Sequence, residues 1–178
     1  MTQLKIGSAA IHFTLPGVDG RMHSLVDYGH YVVLGLVFTC NACPYAQVWE
    51  RPLLALQAQY ADAGVRFVLI NPSDARQNPA ESFVRMAERA DAQGYPFPYL
   101  ADEQQDIRRA YGVTRTPEVF LYDHTRRLRY RGAVDDRADH NGAAQHDYLR
   151  QALDALLGGY PVPFARTAPV GSPVAWRV

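Results

Sequence analysis

The stretch Tyr31-Val-Val-Leu-Gly-Leu-Val-Phe38, followed at once by Thr39-Cys40-Asn41-Ala42-Cys43-Pro44-Tyr45, decides the fold. Its first half is an almost unbroken apolar run rich in β-branched and aromatic residues. It is too short to cross a membrane and reads as a strand buried on both faces. Pro44-Tyr-Ala-Gln-Val-Trp-Glu-Arg51 then begins like a helix, because proline lacks only an N–H that has no intrahelical partner in a first turn. Cys40 and Cys43 are the only cysteines of the chain. Random placement would produce this spacing about one time in a hundred. Two sulfurs one helical turn apart can close a small-ring disulfide and reopen it, which is what two-electron thiol exchange requires.

This reading puts Cys40 at the junction of strand and helix, where unpaired backbone N–H groups and the positive end of the helix dipole favour thiolate over thiol. A free cysteine has a pKa near 8.5. Lowering it to about 7 needs roughly 2 kcal/mol, and a helix terminus in favourable geometry supplies up to about that much. The expected roles are Cys40 as attacking thiol and Cys43, one turn further in and more shielded, as resolving thiol. Other uses of the pair fit less well. So short a loop gives a structural disulfide little chain-entropy stabilisation. Structural zinc normally takes four protein ligands, whereas there is no second CxxC and no tight His-x3-His among histidines 12, 23, 30, 124, 140 and 146. Haem attachment needs a histidine directly after the pair, where Pro44 stands.

The 178 residues suit a single domain able to bury a real core. Eighteen basic and eighteen acidic residues cancel, so net charge offers no case for a nucleic-acid partner. The first thirty residues lack an unbroken apolar segment. Neither a signal peptide nor a membrane span is expected, and the default location is cytoplasmic. In a reducing compartment a CxxC is more often catalytic than structural.

Along the chain, residues 11–27 read as a hairpin turning at Gly17-Val18-Asp19-Gly20. After the buried strand comes a helical stretch over about 43–63, with a kink or restart expected at Pro52. Val65–Ile70 is the next buried strand. Asn78-Pro79-Ala80-Glu81 reads as a helix start, with Asn78 as N-cap. Phe83, Met86, Ala87 and Ala90 form the inner face of that helix, and Gly94 ends it. A strand at Phe97–Leu100 precedes a helix capped by Asp102 and stopped at Gly112. Val119–Tyr122 and Leu128–Arg131 make two strands joined by a turn, and a last helix spans roughly 146–157. The tail 159–178 contains four prolines and is expected to lie extended over the surface. The order of elements predicts an α/β domain over 1–178: a mixed sheet covered on both faces, an N-terminal hairpin extension over 1–30, and the proline-rich tail.

A buried strand running into CxxCP, with Thr116-Pro117 entering a strand far downstream, resembles the thioredoxin superfamily and its three-layer sandwich. The leading hairpin, Phe13-Thr-Leu-Pro-Gly-Val-Asp-Gly-Arg21, narrows the likeness to the alkyl hydroperoxide reductase/thiol-specific antioxidant branch. Cys40-Asn-Ala-Cys-Pro-Tyr45, Thr116-Pro-Glu-Val-Phe-Leu121 and Tyr130-Arg-Gly-Ala-Val-Asp-Asp136 are together most similar to its peroxiredoxin-like thioredoxin group, over almost the whole chain. The resemblance implies that Cys40 attacks, Cys43 resolves and Pro117 is a cis-proline facing them. It also implies that the Thr116 backbone pairs with an extended substrate segment, and that Gly132 flanks the same groove. Thr39, next to the pair, joins the expected substrate-binding residues.

The chain departs from the pattern in three ways. Thr39 replaces the tryptophan that thioredoxins carry before the first cysteine, and Leu34 replaces their buried aspartate, leaving Glu118 or water as candidate proton acceptor. Alignment with one-cysteine-centred peroxiredoxins puts Cys40 at the hydroxyl position and Pro117 at the arginine position. The donors that polarise a peroxide bond are thus missing. Related chains also often carry a tail cysteine, where this one reads Gly171-Ser172-Pro173-Val174-Ala175-Trp176. Asp135-Asp136 matches an acidic pair of the family, and the loop 135–146 is a candidate border of the site.

The leading expectation is a thiol–disulfide oxidoreductase that needs no cofactor and no metal. Its partners would be disulfide-containing proteins or small thiols and disulfides, with neither nucleic acid nor membrane involved. The alternatives are a weak thiol-dependent peroxidase and, from a different class, a non-catalytic metal-binding or redox-gated module.

Overall fold

A computed structural model describes residues 4–137, 143–175 and 177. The N-terminal hairpin pairs β1 (Thr14–Pro16) with β2 (Met22–Ser24), Leu15 opposite His23. There follow β3 (Val33–Phe38), α1 (Pro44–Tyr60), β4 (Val65–Asn71), α2 (Phe83–Gln93), β5 (Tyr99–Ala101) and α3 (Asp106–Tyr111). The chain continues through β6 (Arg115–Thr116), β7 (Glu118–Tyr122), β8 (Leu128–Gly132), α4 (Tyr148–Gly158) and β9 (Ser172–Pro173).

The central sheet has the order β5-β4-β3-β7-β8. β3 runs parallel to β4, and β4 to β5; β7 is antiparallel to both β3 and β8. As its composition requires, β3 is buried at all six positions. Its odd residues Val33 and Val37 join a core with Phe67, Trp49 and Leu53 of α1, Met86 of α2, and Leu149 and Leu153 of α4. Its even residues Leu34, Leu36 and Phe38 join a second core with Phe120, Tyr111 of α3, and Phe13 and Leu15 of the hairpin. This is the period-two alternation of a strand with a helical layer on each side. Gly35 is the exception that packing demands: a Cβ there would stand 2.4 Å from the Phe67 ring.

Several local expectations are revised by tertiary contacts. α1 passes through Pro52 without a restart. Trp49, Leu53 and Leu56 bury its face on both sides of the proline, offsetting the roughly 3 kcal/mol that an interior proline costs. Asn78-Pro79 opens only a single 3-10 turn (Pro79–Glu81), and α2 starts afresh with Ser82 as N-cap. Asp102 does hold the α3 amides, accepting from Arg108 N at 2.8 Å, although the helix begins at Asp106. Gly94 and Gly112 end their helices with φ of +61° and +68°. The tail is not a loose surface strand. Tail residues Ala165 and Thr167 bond the backbone of Arg131, and β9 pairs antiparallel with β6.

Candidate active site

β3 ends at Phe38, flanked in register by Ile70 of β4 and Glu118 of β7. The chain therefore leaves the sheet between the C-terminal end of β4 and the loop entering β7, and Cys40 and Cys43 fall at that point. Both are thiols, 8% and 5% exposed, and both line a cleft of about 280 Å³. One wall of the cleft comes from Ser73, Asp74, Gln77, Asn78 and Glu81, the other from Thr116 and tail residues Ser172 to Ala175.

Thr116 serves both sulfurs. Its hydroxyl donates to Cys40 Sγ at 3.3 Å, and its carbonyl accepts from Cys43 Sγ at 3.4 Å. The Thr116–Pro117 peptide is cis, as the resemblance implies. Ser172 Oγ lies 3.2 Å from Cys43 Sγ on the other side.

The helix terminus does not serve the cysteine that the sequence suggests. Cys43 is the N-cap of α1. The amides near Cys40 are already taken: Glu81, 6% exposed, accepts from Asn41 N and Ala42 N, each at 2.7 Å, and from Asn71 Nδ2 at 2.9 Å. The Asn41 side chain fastens the loop further, accepting from Tyr99 OH at 2.8 Å and donating to Ala80 O at 3.0 Å. The two thiols accordingly share one early ionisation. The hydrogen bond from Cys40 holds the Cys43 thiol down, to about 5, against burial and with help from Ser172 and the Ala46 amide. The same bond, then burial, then the Cys43 charge push Cys40 well up, and the Glu81 carboxylate adds to this. One negative charge is thus shared by the pair: the α1 terminus lies at Cys43 rather than at Cys40 as the sequence suggests, while Thr116, donor to Cys40 and acceptor from Cys43, matches a Cys40 thiolate beside a Cys43 thiol.

Other expected site residues are placed differently. Glu118 is 1% exposed and pairs with Arg131 at 2.7 Å, its pKa raised by burial. It is not a partly exposed acceptor beside the sulfurs; the carboxylate felt at Cys40 is that of Glu81. Thr39 is buried, with its N–H given to Ile70 O at 2.8 Å, and is not among the residues lining the cleft. Gly132, at φ +147°, is covered by the tail: a Cβ there would meet Thr167 Oγ1 at 2.0 Å. Asp135 accepts from Trp49 Nε1 at 2.9 Å and pairs with Arg137, so it braces α1; residues 138–142 of that loop lie outside the described residues. Among the described residues, no three His, Cys, Asp or Glu side chains stand together as a metal-binding group.

Sequence reasoning missed Glu81 and Ser172. Glu81 looked like the third residue of a helix, and nothing local signals a contact 40 positions away. A signal did exist for Ser172: the resemblance noted above puts it at the place where a tail cysteine is often expected.

Residues 6–131 match the AhpC/TSA family model. The thiol–disulfide oxidoreductase ResA of Geobacillus thermodenitrificans is 34% identical over 124 residues, covering 68% of this chain and 66% of that protein. The chain thus spans just under two thirds of the length of that curated relative. Over nearly full length, two crystal structures superpose closely. A hypothetical protein of Sinorhizobium meliloti gives a TM-score of 0.93 at 34% identity, covering 99% of this chain and 97% of that one. An uncharacterized conserved protein of Geobacillus kaustophilus gives 0.92 at 36% identity, covering 97% and 93%.

Proposed function

We propose that this chain, which belongs to the AhpC/TSA family, is a thiol–disulfide oxidoreductase working through Cys40 and Cys43. The observation that carries this reading is the placement of both sulfurs in one open cleft, within hydrogen-bonding reach of each other and of Thr116.

The reaction runs in two exchanges. A sulfur must be a thiolate to attack. The pair shares one early negative charge. With that charge on Cys40, its sulfur has the Thr116 hydroxyl as donor while the Cys43 S–H donates to the Thr116 carbonyl. Thr116 therefore stabilises the attacking arrangement with both of its polar groups. Cys40 attacks a substrate disulfide R–S–S–R′; that S–S bond breaks, a Cys40–S–S–R bond forms, and R′S⁻ leaves and takes a proton. Cys43 then gives up its proton and attacks the Cys40 sulfur, expelling RS⁻, which is protonated. The dithiol is oxidised to the Cys40–Cys43 disulfide, and the substrate gains two electrons and two protons. Run in reverse, the same steps oxidise a substrate dithiol, so the geometry serves either direction.

The test is a pair of variants. Cys40→Ser abolishes turnover, and Cys43→Ser accumulates a mixed disulfide on Cys40, seen as added mass on its peptide. Full turnover in Cys40→Ser refutes the reading. Peroxide consumption under saturating thiol, absent in this reading, distinguishes it from a thiol peroxidase.

A further inference from the structure

An extended polypeptide reaching a buried sulfur pair needs a backbone edge to pair with. Thr116 is the residue beside both sulfurs that could offer one, and its edge is already occupied. Thr116 pairs with Ser172, and Arg115 with Pro173, in antiparallel register; Val174 N extends the ladder to Thr114 O at 3.1 Å. The occupying segment is firmly held. The nearly inaccessible Arg108 donates to Val174 O at 2.6 Å and to Ala175 O at 3.0 Å, and Gln105 reaches Ala175 O as well. Arg115 donates to Gly171 O at 2.8 Å. The fit is tight enough that a Cβ on Gly171 would stand 2.1 Å from Thr116 O. The tail lies on Thr116 as a substrate strand would, with Ser172 against Cys43.

We propose that residues 171–175 permanently take the place of a substrate polypeptide, so that the disulfide exchanged at this site is a low-molecular-weight one. This rests on the oxidoreductase reading above and specifies its substrate class. What remains open is the cleft of about 280 Å³, just below the roughly 300–1,000 Å³ usual for small-molecule sites. Its free wall carries the hydroxyl and amide groups of Ser73, Gln77 and Asn78 beside two carboxylates that already have partners, Asp74 with Arg76 and Glu81 with the Asn41 and Ala42 amides. This suits a polar, peptide-like disulfide such as oxidised glutathione, which enters the two-step exchange as R–S–S–R and leaves as two thiols.

The experiment oxidises the reduced full-length protein with oxidised glutathione or with insulin at equal disulfide concentration, counting the remaining thiols with time. Oxidised glutathione is expected to react faster by roughly a hundredfold, the scale of loss when reacting atoms are kept about 1 Å out of line. Gly171→Ala, which forces the tail from Thr116, is expected to raise the insulin-to-glutathione rate ratio by about tenfold, roughly 1.4 kcal/mol of barrier. Hydrogen exchange at the Val174 amide reports whether the tail has left in Gly171→Ala; should that variant not fold, Val174→Pro removes the donor instead, and limited proteolysis within 171–175 reports the release of its tail. Insulin reacting with the wild type as fast as oxidised glutathione overturns the proposal and leaves the oxidoreductase reading intact. A released tail with an unchanged rate ratio also overturns it. Failure of both disulfides to oxidise the pair sinks the oxidoreductase reading, and this proposal with it.

Discussion

The hydroxyl of Ser172 sits 3.2 Å from the sulfur of Cys43, across 129 positions of sequence. It is one of the groups that hold the Cys43 thiol low. Ser172→Ala should therefore raise the pH at which thiolate absorbance appears in the reduced protein. Ser172→Cys should place a third thiol in reach of Cys43, and mild oxidation should yield a tail peptide cross-linked to the Cys43 peptide. Absence of that cross-link in a folded variant would show that the tail does not rest there in solution.

The shared ionisation also predicts a pH dependence of stability. The Cys43 thiol titrates near 5 in the fold and near 8.5 in an unfolded chain. Between these values the unfolded state binds more protons, so stability of the dithiol form rises with pH from about 5 to about 8.5 and is lost as pH falls through 5. Cys40 has the opposite sign: its contribution is present below its unfolded value and declines above it. The disulfide form has neither titration. The melting temperature of the dithiol protein relative to the disulfide protein should thus climb across this window and then turn over. A flat difference would contradict the electrostatics of the site.

Glu81 clamps the CxxC loop and raises the proton affinity of Cys40. Glu81→Ala leaves three donors without their acceptor and should destabilise the fold by about 3 kcal/mol. Glu81→Gln retains an acceptor but removes the charge. It should stabilise the thiolate of the reduced pair and make the disulfide a stronger oxidant. Equilibration with a glutathione redox buffer measures this; an unchanged or lower midpoint potential would refute it.

Glu118 is predicted to be structural. Glu118→Ala strands the buried Arg131 guanidinium and should cost about 3–5 kcal/mol, measured by denaturant unfolding. The pH profile of disulfide exchange should not move. A shifted profile in the folded variant would restore Glu118 as the proton acceptor.

Much of this molecule could be read from local pattern. The apolar run 31–38 made a strand buried on both faces, because alternation of the pleat gives each side chain a side and all were apolar. Gly94 and Gly112 ended helices because a left-handed cap favours a residue without Cβ. The cysteine spacing located the chemistry. Boundaries slipped where a distant contact outweighed a nearby signal: packing by Trp49 and Leu53 carried α1 across Pro52, and Ser82 rather than Asn78 opened α2.

Sequence by itself determined that two sulfurs stand where a buried strand meets a helix, since adjacent residues and short-range periodicity specify that junction. Which groups hydrogen-bond each sulfur, which carboxylate acts on the pair, and what covers the Thr116 edge were decided only by tertiary structure. Thr116 and Ser172 reach the cysteines from 76 and 129 positions away, and Glu81 reaches Asn41, between them, from 40. Interactions that depend on hydrogen-bond geometry between such distant groups leave no periodic trace in the chain.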